Sequence, residues 1–115
     1  MKVIVKNYIK TAFSSKDAEV LYKLLEDAVH KHEQINIDFN GIEFYTTLFF
    51  GSAITCFVSE LGPDEFASRI SVSNLSELGK TAYQHSLDFA REEYLLTPEQ
   101  KEDRLRALEL IHAED

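Results

Sequence analysis

Residues 35–61 read INIDFNGIEFYTTLFFGSAITCFVSEL, and the order of residue types in this stretch decides the fold. Ile35, Ile37 and Phe39 alternate with Asn36 and Asp38, the period-two pattern of a strand with one face buried. Asn40-Gly41 ends that run, as turn-forming residues do. After a short loop, Thr46-Thr47 open a helix predicted to reach about Glu60, with threonine a suitable capping residue at its start. The end of a strand, the loop and the start of the next helix are where a small α/β domain displays its working groups.

The helix itself is unusual. Phe49, Phe50, Ala53, Ile54, Phe57, Val58 and Leu61 cover more than half of its circumference, while Ser52, Thr55 and Ser59 supply a thin neutral strip and Glu60 its one charge. A helix this apolar is either sandwiched within the fold or presents an apolar patch to a partner. Burial within the fold is the expectation.

Working toward the N-terminus, Ser14-Ser15 precede a helix predicted over about Lys16 to Lys31, with Ala18, Leu21, Leu25, Ala28 and Val29 at helical spacing. Val3-Ile4-Val5 with Tyr8-Ile9 reads as an opening strand, and Thr11, Ala12 and Phe13 as a fourth, hairpin-type strand within Lys10 to Ser14 that pairs with it. Toward the C-terminus, Gly62-Pro63-Asp64 stops the apolar helix and Arg69 to Ser73 (RISVS) alternates as a further strand. Asn74 or Ser76 starts a helix to about Tyr94, with one stripe of Leu78, Ala82 and Phe89 and another of Tyr83, Leu87 and Tyr94. Thr97-Pro98-Glu99-Gln100 then sets out a capping box with proline at the first helical position. Leu105, Leu108 and Ile111 form a narrow seam on the last helix, suited to folding back or to pairing with another chain, so the chain is either a monomer or a homodimer. The expected architecture is a single α/β domain over residues 1–96, a mixed sheet of about four strands packed by helices, with a C-terminal helix over 97–115.

Composition narrows the function classes. A chain of 115 residues supports one domain with a modest core. No apolar run approaches the roughly 18–20 residues of a spanning helix, and the single Cys56 suits a reducing cytoplasm. Formal charge is −8 and unevenly placed, with three basic against nine acidic side chains in residues 34–96. Direct nucleic-acid binding is disfavoured, because phosphate contacts need clustered Lys and Arg. Such acidity serves solubility, or suits an acidic inhibitor that mimics a nucleic acid on a basic protein.

The residues that carry chemistry elsewhere are poorly arranged for it here. His30 and His32 would point about 200° apart on a helix, whereas a helical ligand pair wants a spacing of four. His85 and His112 have no carboxylate or cysteine companion nearby, and no metal or cofactor is expected. Cys56 lies among apolar residues without a base to activate it. No Gly-x-Ser-x-Gly elbow or glycine-rich phosphate loop is present. Asp38 and Glu43 form a possible carboxylate pair, too little to assign catalysis, so a non-enzymatic protein is expected. Thr46 and Thr47 are of more interest, since a helix start favours negative charge and a phosphate there would add about two negative charges.

The segments INIDFNGIEF, TTLFFGSAITCFVSELG and ASRISVSNLSE, with Asp38, Gly41, Phe49-Phe50-Gly51-Ser52, Gly62 and Asn74 as marked positions, resemble the STAS-like domain family of unknown function over about residues 14–93. More distantly, they resemble the bacterial anti-sigma-factor antagonists. The second resemblance implies a regulatory module that docks a protein partner, a histidine-kinase-like ATPase or an anti-sigma factor. In those antagonists the corresponding strand is followed by Asp-Ser-x-Gly, whose serine is phosphorylated. The resemblance places that position at Thr47, with Thr46 in place of the aspartate and Leu48-Phe49 following. The expected contact cluster is Glu43, Tyr45, Thr46, Thr47 and Leu48, with Tyr45 as a flat anchor and Glu43 as an orienting charge.

Overall fold

The computed structural model describes residues 1–12, 14–31 and 33–113, the last six of these by their backbone alone. Three strands, β1 (Lys2–Ile4), β2 (Ile35–Asp38) and β3 (Ile70–Ser73), form a wholly parallel sheet in the order β1-β2-β3. Val3 pairs with Ile37, and Ile37 with Val72. Both crossovers advance in the same direction, which places their helices on one face when the connections are right-handed. The alternation agrees: Val3, Ile35, Ile37 and Ile70 are buried, whereas Lys2 and Ser71 are exposed and Asn36 and Ser73 half-buried. On that second face Asn36 Nδ2 donates to Ser71 Oγ at 3.0 Å, and Ser73 Oγ donates to Asn36 Oδ1 at 3.3 Å. Parallel sheets are usually covered on both faces; the polar face of this one satisfies itself by side-chain hydrogen bonds.

The sheet differs from the expected mixed sheet of about four strands. Ala12 forms one isolated parallel bridge with Tyr45, its N–H donating to Phe44 O at 2.9 Å and its carbonyl accepting from Thr46 N at 3.0 Å. Both of its backbone groups are therefore committed to the loop after β2, and no hairpin with β1 forms there; Phe13 lies outside the described residues. The opening strand is also shorter than expected. Val5–Asn7 is a 3-10 turn, and Ile9 N donates to Val5 O at 3.1 Å. Val5 and Ile9 are both buried, a helical spacing that the β-branched composition conceals.

Helix α1 (Ser15–His30) begins where Ser14 Oγ accepts from Asp17 N at 3.0 Å, and it buries the expected face of Ala18, Leu21, Leu25, Ala28 and Val29. Its far end is closed by Arg69, which donates through Nη2 to Val29 O at 2.7 Å. The apolar helix is a continuous rod: α2 (Thr47–Phe50), a π-helical turn over Gly51–Thr55, and α3 (Phe57–Leu61). Gly62, at φ 84°, ends it, a conformation that glycine adopts without the strain of a Cβ. The chain then resumes as α4 (Pro63–Arg69), where the sequence predicts a stop. Its signals were nonetheless present: proline at the first position, Asp64 and Glu65 in the first turn, and an apolar Phe66 that is buried. Arg69 consequently ends α4 instead of starting β3.

Ser76 Oγ accepts from Gly79 N at 3.2 Å and starts α5 (Glu77–Leu95). The expected capping box starts α6 (Pro98–Ala113): Thr97 N donates to Gln100 Oε1 at 2.9 Å, and Gln100 N to Thr97 Oγ1 at 3.2 Å. The domain is mostly helical, with one two-sided element, the rod, lying between α1 and α5. Among the described residues no helix is long and apolar enough to cross a membrane.

Candidate docking site at the end of the second strand

Asp38 closes β2, and its carboxylate is fully engaged. Oδ1 accepts from Asn40 N at 2.9 Å and from Asn74 Nδ2 at 2.8 Å, while Lys2 Nζ stands 3.7 Å from Oδ2. The Asn74 amide, then the Asn40 N–H, hold this carboxyl below its ordinary value despite burial. Asn74 takes a left-handed φ of 61° to reach it. Asp38 thus ties the central strand to the residue after β3, and Gly41, at φ 87°, turns the chain away from the sheet. Glu43 is exposed, whereas Asp38 is buried with its Oδ1 already taken by Asn40 and Asn74. The described His, Cys, Asp and Glu residues do not group in threes that could hold a metal ion. His32 lies outside the described residues, as does the side chain of His112.

The five residues expected to form a contact cluster divide. Glu43, Thr47 and Leu48 are exposed, Leu48 by 75%. Thr46 and Tyr45 are half-buried and hold this lip, residues 43–48, in shape. Thr46 Oγ1 accepts from Phe49 N at 3.1 Å, so this threonine is the N-cap of the rod. The Tyr45 ring stacks on Phe50, with centroids 6.0 Å apart, and tilts against Phe39 at 6.1 Å. Its hydroxyl donates to Ile42 O. A Cβ placed on Gly79 would lie 3.0 Å from the same ring, so α5 approaches Tyr45 through the one residue that leaves room. Tyr45 is therefore a wedge between the lip and α5. The lip's exposed aromatic is instead Phe44, 61% exposed, which residue type alone does not separate from Tyr45.

Behind the lip, the rod and α5 diverge to leave a groove of about 510 Å³. Its rims carry Leu48 and Phe89, the latter 56% exposed, and its floor is made of small residues that include Gly51, Ser86 and Ala90, with the exposed Ser52 beside them. The floor is sealed by a buried pair, Thr55 Oγ1 and Ser86 Oγ at 2.7 Å. Thr55 also donates to Phe50 O at 3.4 Å, across the π turn, a departure from α-helix often found at functional positions. Cys56 stands half-buried at the side of the groove, where burial pushes its thiol up to about 11. At neutral pH it is a protonated, weakly nucleophilic group. Thr47 lies at the mouth of the groove beside Leu48.

The site thus offers a braced loop, an exposed phenylalanine and leucine, and a largely apolar channel between two helices. On the rod the lining was legible as a chemical strip, since Ser52, Thr55 and Ser59 all line the groove; of the α5 stripe Leu78, Ala82 and Phe89, only Phe89 does. That the strip faces α5 was not legible, since it depends on how the rod crosses α5.

No curated protein and no solved structure matches the chain. The family model described as the STAS-like domain of unknown function (DUF4325) matches residues 17–80, which run from the first turn of α1 through the lip, the rod and β3 into the first turn of α5, and the chain belongs to that family.

Proposed function

We propose that this chain is a non-enzymatic regulatory domain that binds a protein partner through the lip, residues 43–48, and the groove behind it. The observation that carries this reading is the pairing of exposed apolar rims, Leu48 and Phe89, with a lip already braced by the Ala12 bridge and the Thr46 cap. A surface held in its binding shape avoids the ordering cost that weakens association. The likeness to anti-sigma-factor antagonists supports a partner such as a histidine-kinase-like ATPase or an anti-sigma factor. It also supports Thr47 as the residue where a phosphate would switch docking. Thr47 is exposed and adjoins Leu48, so about two added charges would fall at the mouth of an otherwise apolar channel.

The test is capture of partners from the protein's own cells on tagged wild-type chain and on Leu48→Asp, followed by mass spectrometry of the partners and of Thr47. The expected result is a stoichiometric partner that survives a wash at about 0.5 M salt, where exposed charge pairs are strongly screened, and is lost with Leu48→Asp. Equal recovery on both baits would remove the groove from the reading. A basic, nucleic-acid-processing partner released by salt would support the acidic-mimic reading, whose basis is the nine acidic against three basic side chains of residues 34–96.

A further inference from the structure

Helix α6 follows α5 after the two residues Leu96 and Thr97, and meets it at the groove. The guanidinium of Arg104 pairs with Glu93 Oε1 at 2.9 Å and stands 5.4 Å from the centroid of the Phe89 ring. Glu93 and Phe89 both line the groove. From position 98 to position 107 every residue of α6 except Arg104 is exposed. Even Leu105, first residue of the apolar seam, is 60% exposed. Leu108 and Ile111, the rest of that seam, have side chains outside the description. Along these ten residues Arg104 makes the one salt bridge from α6 to α5 among the described residues, and a helix without a buried face gains little stability from packing.

We propose that Arg104 makes α6 an intramolecular competitor for one rim of the groove: it holds α6 across Phe89 and Glu93, and a partner that engages Phe89 displaces it. The proposal rests on the groove being the docking surface. Its energetics suit a releasable contact. A half-buried ion pair and a cation–π contact on an exposed ring together bias the closed arrangement by only about tenfold, which the apolar contacts of an incoming segment readily exceed. A tight clamp would block the site, whereas this one leaves Leu48 and part of Phe89 exposed for an incoming segment to engage first.

The test uses full-length wild type, Arg104→Glu, the charge-exchanged Glu93→Arg/Arg104→Glu, and Arg104→Glu/Leu48→Asp. Nile red, an uncharged apolar dye, is the probe, and amide hydrogen exchange reports on α6. Arg104→Glu is expected to speed exchange in α6 and to tighten dye binding about tenfold, the bias attributed to the two contacts. Charge exchange restores most of both properties, and the added Leu48→Asp abolishes the dye gain. Faster α6 exchange with unchanged dye affinity would overturn the proposal, because α6 would then leave without uncovering anything. Unchanged α6 exchange in Arg104→Glu would overturn it as well, because Arg104 would not be the fastening. A dye gain that Leu48→Asp leaves intact would count against the groove as the docking surface, a separate failure that takes the proposal with it.

Discussion

The rod from Thr47 to Leu61 has two long sides of similar ancestry in the sequence and opposite fates in the fold. On the inner side Phe49, Phe50, Ala53, Ile54, Phe57 and Val58 are buried. Phe50 is the hub, meeting Phe39 at 5.6 Å, Phe49 at 5.8 Å and Tyr83 at 5.4 Å, all edge-on. On the outer side Leu48, Ser52 and Ser59 open toward the groove, with Thr55 and Cys56 along the border. The difference lies in side-chain size more than in polarity. Large rings interdigitate and pull the inner side shut against the sheet and α1. Small residues on the outer side, facing Ser86 and Ala90 of α5, leave a channel with one large apolar residue on each rim. Apolar content states how much surface a helix must cover; the alternation of large and small states where it remains uncovered.

The largest test of that contrast sets Phe50 against Leu48. Phe50→Ala empties the hub of the aromatic cluster and is expected to cost about 3–5 kcal/mol. Leu48→Ala, on the opposite side two residues away, should change stability by no more than about 0.5 kcal/mol. Urea denaturation of the two variants measures both. Comparable losses would mean that Leu48 is packed, and the distinction between the sides would disappear.

Tyr45 sharpens the same contrast at the lip, with a smaller effect. Tyr45→Ala removes a ring that contacts Phe39, Phe50 and Gly79, and deprives Ile42 O of its donor. The expected loss is about 2–4 kcal/mol, against about 0.5 kcal/mol or less for Glu43→Ala on the exposed part of the lip. Tyr45→Phe, which keeps the ring, should retain most of the stability. A fully stable Tyr45→Ala would return Tyr45 to the role that its sequence position first suggests, an anchor offered to a partner.

Much of the fold could be read before the structure. The faces of α1 and the rod, the cap at Thr97 and the central strand all follow from local periodicity and local hydrogen bonding, which a single sequence displays directly; the choice of Ser14 over Ser15 and of Ser76 over Asn74 is seen only in the structure. What could not be read depends on longer-range pairing. Ala12 sits in a stretch compatible with a hairpin, and only the carbonyl of Phe44 and the N–H of Thr46 reveal where its backbone groups go. Helix α4 was hidden by reading Gly62-Pro63 as a stop, although proline at a first helical position begins a helix as readily as it ends one. At the candidate site, residue types indicated the lip, but not which members face inward. Tyr45 packs because α5 presents Gly79 to it, a contact across more than thirty positions. The groove likewise needs α5 beside the rod, and Arg104 gains its place only through the return of α6.

Cys56 permits the finest test, because it sits on the border between the two sides. Burial raises its thiol from the ordinary 9.0 to about 11, with its own N–H and that of Phe57 opposing the shift more weakly. The thiolate is the reacting form, so at pH 8 the folded chain should alkylate about a hundredfold more slowly than the urea-unfolded chain, as two pH units imply. The gap should narrow as pH rises past 9 and close beyond about 11. The linked stability has a definite sign: the unfolded chain loses this proton at a lower pH than the folded one, so the contribution is complete below 9.0 and is lost as pH climbs toward about 11. A folded-state alkylation profile that turns over near 9 would place the sulfur on the open side of the rod. The border would then run inside Cys56 instead of through it, and the inner side would be narrower by one residue.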